Sequence, residues 1–146
     1  GHKGILLGNR GETIKAISLL CENILEPVQK EFGKIILTYG FASYDLTKKI
    51  KSRIYPKLDQ HSGYEKNKKG NYIGERLGQA VDFYIPNINS KNICKWINLN
   101  CQFDRMYFYG EDRPIHISIG PENKKQIILM RKYDNKKYIP KVVKIF

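Results

Sequence analysis

From Thr13 onward the apolar positions Ile14, Ile17, Leu20, Cys21, Ile24, Leu25, Val28 and Phe32 recur every three or four residues. That spacing lines one face of an amphipathic helix. Pro27 lies inside the pattern and predicts a kink, because proline has no amide donor and crowds the preceding turn. Gly33 is a stop signal, and residues 1–11, with glycines between short apolar pieces, read as a loop-rich lead-in. Residues 34–38 (KIILT) are short and β-branched and predict a buried strand, followed by a turn over 39–43. Helical spacing returns over 45–55 through Leu46, Ile50 and Ile54, and Pro56 ends it.

Residues 61–74 (HSGYEKNKKGNYIG) are polar and glycine-rich and read as an exposed loop or lid. Over 79–85 (QAVDFYI) the residues Val81, Phe83 and Ile85 alternate with Ala80, Asp82 and Tyr84, the signature of a strand with two unlike faces. Residues 90–98 read as a short helix with Ser90 as N-cap and Ile93, Trp96 and Ile97 inward. Strands at 105–109, 115–119 and 126–130 follow. This order predicts an α+β fold in which helices pack on one face of a mainly antiparallel sheet, leaving the other face free to carry a cleft.

With 146 residues and 41% apolar content, the chain can fill one core, so residues 1–146 read as a single domain. No apolar run approaches the roughly 20 residues that cross a bilayer, and the N-terminus lacks a basic-then-apolar secretory pattern. The chain opens on Gly1 rather than Met, which reads as a fragment, a processed protein or a tag remnant. Cys21, Cys94 and Cys101 are odd in number and contain no C-x-x-C pair, so they read as reduced thiols of a cytoplasmic protein. The net charge of +12 is concentrated in the tail over 121–146, where eight Lys/Arg face two acidic residues. Such a tail suits a polyanion partner, nucleic acid or an anionic wall polymer, as well as it suits a plain compositional bias.

Candidate chemistry follows from strand alternation. Asp82 is opposite in phase to Val81 and Phe83, and His116 to Ile115 and Ile117. If both strands turn their aliphatic sides to the helices, the carboxylate and the imidazole emerge on one open sheet face. Together they offer two ligands for zinc, which in a catalytic site takes three protein ligands plus water. His61, at the mouth of the polar loop, is the best third ligand. The competing reading is that Asp82 and His116 only hydrogen-bond to each other or to the backbone.

Three segments also resemble a known family in order and spacing. They are ILEPVQKEFGKIILTYGFAS (24–43), LGQAVDF (77–83) and FDRMYFYGEDRPIHIS (103–118). They are similar to the helix–strand opening, the Ser-x-His-x-x-Gly-x-Ala-x-Asp strand and the last metal strand of zinc D-Ala-D-Ala carboxypeptidase-like proteins, the peptidase M15-like family with the hedgehog/DD-peptidase fold. The resemblance implies that Asp82 and His116 ligate zinc and that the domain hydrolyses an amide bond of a peptide. It also implies that a carboxylate just before the last histidine, Asp112 or Glu111, acts as base. A turn salt-bridged to Arg113 is the other reading of that acidic pair.

Two departures qualify the match. Glu75 stands where the family has its first histidine, so either Glu75 ligates or the polar loop is an insertion and His61 of DQHSG keeps the role; we favour His61. Ala42 stands where the family has an arginine that orients substrate, which removes a fork of donors from that turn. Two other functions therefore stand beside hydrolysis: a copy of the fold that binds a polyanion through Arg105, the aromatic residues Tyr107, Phe108 and Tyr109, and the basic tail, or an accessory domain of a larger protein.

Overall fold

A computed structural model describes residues 2–50, 55–132 and 137–144. Helix α1 (His2–Leu20) runs without interruption into one wide π-type turn, Cys21–Leu25, and then into α2 (Glu26–Phe32). Pro27 sits in the first turn of α2, where its missing amide would otherwise break the ladder. The wide turn just before it absorbs the misfit, so the expected kink takes the form of a π-bulge. Gly33, at φ +115°, closes the helix with its N–H on the Gln29 carbonyl.

The expectation of a loop over 1–11 is corrected here: residues 2–11 are helical. Extending an existing helix costs far less than nucleating one, and the packed stretch that follows supplies the nucleus. Ala16, Leu20, Ile24 and Val28, four residues apart, form the buried line of the rod. Ile14, counted on that face in the sequence, is 60% exposed.

Six strands form one sheet in the order β1-β2-β4-β3-β5-β6. They are β1 (Ile36–Tyr39), β2 (Gln79–Tyr84), β3 (Arg105–Phe108), β4 (Ile115–Ile119), β5 (Gln126–Lys132) and β6 (Tyr138–Val143). All neighbours are antiparallel except β3 and β5. Helix α3 (Tyr44–Lys49) follows β1, and α4 (Ser90–Asn100) joins β2 to β3. The fold is thus α+β with a mostly antiparallel open sheet.

One sheet face is the core. Val81, Phe83, Met106, Ile115, Ile117 and Ile127 pack against Leu20, Ile24 and Val28 of the rod and Ile93 and Ile97 of α4. Each fully buried side chain of this size contributes about 1.5–3 kcal/mol. Alternation places Asp82, Tyr107, His116 and Ser118 on the opposite face.

Several local expectations change. Strand β1 is a half-exposed sheet edge rather than a buried strand, with Leu37 59% exposed. Helix α3 is shorter than 45–55 and buries Thr47 while Leu46 stays exposed; Ile54 lies outside the described residues. Asn89, not Ser90, caps α4 by accepting the Lys91 N–H, because the Ser90 hydroxyl instead donates to the Arg113 carbonyl. The basic tail, where the sequence predicts one strand at 126–130, also holds β6.

The connection from β4 to β5 crosses the start of β3, which makes β3 and β5 parallel. Asp104, 2% exposed, anchors this crossing. Its carboxylate accepts from the Lys124 N–H, the Gln60 amide and the Arg105 guanidinium. The chain entering β2 meets the chain leaving β4 at Gly78, whose φ is +130° and whose added Cβ would lie 1.8 Å from the Ile119 carbonyl oxygen.

Gly78→Ala is therefore expected to destabilise by at least about 3 kcal/mol, through backbone collision plus a forbidden φ. Gly11→Ala, in mid-helix with nothing within 4 Å of the new Cβ, should stabilise by about 0.5–1 kcal/mol. Urea midpoints measure both; a Gly78→Ala midpoint at the wild-type value would contradict the close approach.

Candidate metal centre

Asp82 and His116 face each other directly across the β2–β4 ladder. Both belong to the face turned away from the core, as their alternation with Val81, Phe83, Ile115 and Ile117 requires. His116 Nδ1 lies 2.9 Å from Asp82 Oδ1.

The third member comes from a short 3-10 turn, Gln60–Ser62, pinned on every side. The Asp59 carboxylate accepts the His61 N–H, and the Ser62 hydroxyl donates back to the Asp59 carbonyl. The His61 carbonyl accepts from the Ala42 N–H and the Gln79 amide. Gln60 ties the turn to the Leu77 carbonyl and to Asp104. Gly63, at φ +64°, lets the chain turn against Thr13 of α1, whose hydroxyl accepts the Tyr64 N–H. The head of segment 61–74 is consequently buried, and only its tip fits the expected exposed loop.

The hydrogen bonds define the protonation of His61. Its Nδ1 lies 2.7 Å from the Gly40 carbonyl oxygen, which can only accept, so Nδ1 carries a proton. In a neutral ring the opposite nitrogen, Nε2, then presents a lone pair, and it points at Asp82 Oδ1 at 3.1 Å. Two lone pairs at that distance repel unless a cation stands between them, either a second ring proton or a metal ion. Ligand atoms about 2.0 Å from a shared tetrahedral ion are about 3.3 Å apart. The three candidate ligand atoms of His61, Asp82 and His116 all lie within 4.8 Å of one another. This buried group could hold a metal ion.

Aromatic rings wall the group. Tyr39 meets His61 edge-on at 4.6 Å, His61 meets His116 at 4.9 Å, and Tyr107 meets His116 at 4.9 Å. The Arg76 guanidinium donates to the Tyr107 hydroxyl at 3.1 Å. The side chains of His61 and His116 are 1% and 8% exposed against 21% for Asp82, so solvent reaches the group on the carboxylate side. Burial pushes the Asp82 carboxyl up, but hydrogen bonds and charge from His116 and His61 outweigh it and hold the group well below the usual carboxylate range.

The structure thus brings His61, Asp82 and His116 together. Glu75, the alternative third ligand, is exposed and lines a cavity of about 160 Å³ with Arg76, Leu77 and Asp104. Glu111 and Asp112 are exposed in the β3–β4 turn, outside the three-residue group. That turn is tied to α4 through its backbone, with the Glu111 carbonyl accepting the Ser90 N–H. Ala42 is buried and brings no donor fork; a guanidinium comes up to Tyr107, beside His116, from Arg76. Arg76 and Tyr39 were not singled out in the sequence, and Tyr107 was read only as part of an aromatic cluster. The signal for the two tyrosines was strand phase, which needs the register of Tyr39 with Asp82 and of Tyr107 with His116 before it becomes informative. Cys21, Cys94 and Cys101 are free thiols, and burial pushes the Cys94 thiol above its ordinary range. No helix among the described residues is long and apolar enough to cross a membrane.

A depressed Asp82 carboxyl stabilises the fold fully above the unfolded-state value near 4, and that stability is lost as pH falls below it. In chelator, wild-type protein should therefore lose more stability between pH 5 and pH 2.5 than Asp82→Asn does, read as urea midpoints. Parallel curves would show that the two imidazoles do not hold the carboxylate.

Compared with known proteins, the chain matches no family model, no curated protein and no solved structure.

Proposed function

We propose that this chain is a zinc-dependent hydrolase that cleaves an amide bond of a peptide, on a sheet arranged as in the hedgehog/DD-peptidase fold. One observation carries the reading: the proton on His61 Nδ1 is committed to Gly40, which turns an unshared pair on Nε2 toward Asp82 and His116. Two imidazoles and one carboxylate are a donor set that suits zinc and leaves a fourth position for water or substrate. Zinc, when bound, supplies Lewis acidity toward the scissile carbonyl and makes water nucleophilic near neutral pH.

The chain's own residues do the remaining work. Gly40 fixes the ring orientation and the tautomer of His61, as outer partners of metal-binding histidines do. Arginine only donates, so the Tyr107 hydroxyl, which accepts from Arg76, keeps its own proton for an acceptor such as a substrate carbonyl oxygen. Arg76 in this way takes up the orienting work that Ala42 lacks. The base is Glu111 or Asp112, whose side chains reach the carboxylate side of the group only if the β3–β4 turn folds back toward Asp82.

Protein purified without chelator should carry about one zinc per chain by elemental analysis, and His61→Ala and His116→Ala should carry under about a tenth of that. Zinc at a thousand times its dissociation constant should add about 4 kcal/mol of stability. For a chain this size that is a rise of roughly 8–16 °C in melting temperature. Peptide-library cleavage read by mass spectrometry should need the zinc. One of Glu111→Gln and Asp112→Asn should abolish cleavage while leaving zinc content intact. Substoichiometric zinc with no thermal shift on adding it would sink the reading.

A further inference from the structure

We propose that the ribbon formed by β5 and β6 is a docking surface for single-stranded nucleic acid, independent of the metal centre. The two strands pair over six successive positions, from Ile127 with Val143 to Lys132 with Tyr138, and β6 is the outer edge of the sheet. The described residues of this ribbon, 126–132 and 137–144, include Arg131, Lys132, Lys137, Lys141 and Lys144 and no acidic residue. Among the described residues outside the ribbon, four cations sit beside acids, Lys48 with Asp45, Lys66 with Glu12, Arg105 with Asp104 and Lys124 with Glu122, whereas other lysines such as Lys30 and Lys68 stand without one and far apart in the chain. Arg131, Lys132, Lys141 and Lys144 have no such partner among the described residues. Among the described residues, Arg131, Lys132, Lys141 and Lys144 therefore form a patch of one sign on two paired strands.

Register sorts these groups by face. Lys132, Tyr138, Pro140 and Val142 share the face that also carries the metal group, while Arg131, Ile139 and Lys141 share the other. Arg131 pairs with Ile139, which places Lys141 diagonally beside it, about 7 Å away. On the first face Lys132 Nζ stands 5.5 Å over the Tyr138 ring, and Tyr109 meets that ring edge-on at 5.4 Å. Val142 is 60% and Ile139 49% exposed, so apolar side chains on both faces await a partner.

The backbone argues for the kind of partner. Pro140 in mid-strand offers no amide to an added strand, so the edge is a poor template for a protein segment that would extend the sheet. Recognition must come from side chains: cations that neutralise phosphates, and a ring beside a cation on which an unpaired base can stack. An acidic peptide would use the lysines and leave Tyr138 idle.

The test is fluorescence anisotropy of a labelled 20-nucleotide oligothymidylate with the whole chain between 25 and 250 mM NaCl. Neutralising three or four phosphates predicts a log–log salt slope of about −2 to −3. The fourfold variant R131Q/K132Q/K141Q/K144Q should bind at least about tenfold more weakly at 25 mM salt and flatten that slope. Tyr138→Leu should weaken binding about fivefold or more with the slope unchanged. A charge-matched variant on exposed positions elsewhere, K30Q/K34Q/K68Q/K69Q, should bind as wild type does, and His61→Ala should too. The proposal is overturned by absence of binding at 25 mM salt, or by equal weakening in the charge-matched variant. It is also overturned if polyglutamate displaces the oligonucleotide at equal charge concentration, which would assign the surface to acidic peptides. If the fourfold variant aggregates while its soluble fraction keeps full affinity, the lysines only guard the edge and the proposal fails.

Discussion

The arrangement depends on a carboxylate lodged between two imidazoles. Asp82 loses hydration in the sheet face, and that loss alone would favour its neutral form. It stays ionised because His116 reaches it from the neighbouring strand and because His61, from a turn outside the sheet, faces it across a second ring proton or a metal ion. Breaking either contact would leave a partly buried charge with half its compensation, which costs more than the contact itself is worth. The register of β2 on β4 and the position of turn 59–63 are thus coupled through one oxygen atom. That coupling explains why so many hydrogen bonds converge on residues as short-lived in sequence pattern as Asp59, Gln60 and Ser62.

The buried polar groups behind the site have a structural reason of their own. Moving from β4 to β5 across the start of β3 forces irregular backbone through a desolvated region, and its amides need acceptors. Asp104 serves that need and is balanced by Arg105, which lies on the same face as Tyr107. Gln60 links the same carboxylate to the histidine turn, so the crossing and the site share a single polar network. A network of this sort is worth more intact than the sum of its parts, because each member removed strands another.

Strand alternation made the Asp82–His116 pair legible in the sequence, since QAVDFY and IHISI each show period two and a sheet has only two faces. Their direct opposition was not legible, because register depends on partners and not on local pattern. His61 could be named as a candidate but not placed, as its position rests on contacts with Gly40, Thr13 and Gln79, far away in the chain. The helical start was hidden by glycines whose cost is outweighed by propagation from the packed rod. Strand β6 was hidden because an edge strand exposed on both faces shows no clean alternation: YIPKVV mixes apolar residues, a proline and a lysine.

The fixed proton on His61 Nδ1 also decides what the group can be. A histidine free to choose its tautomer would simply donate to Asp82 from Nε2 and form a neutral, satisfied pair, and nothing further would be asked of the site. Gly40 removes that option, because a ring that gives its single proton to a backbone carbonyl has only a lone pair left for the carboxylate. The space beside Asp82 Oδ1 then belongs to whichever cation binds it better, a proton or a metal ion, and the two compete. Backbone geometry at Gly40, and not the identity of the three side chains alone, is what lets this group hold a cation where an ordinary buried hydrogen bond would need none.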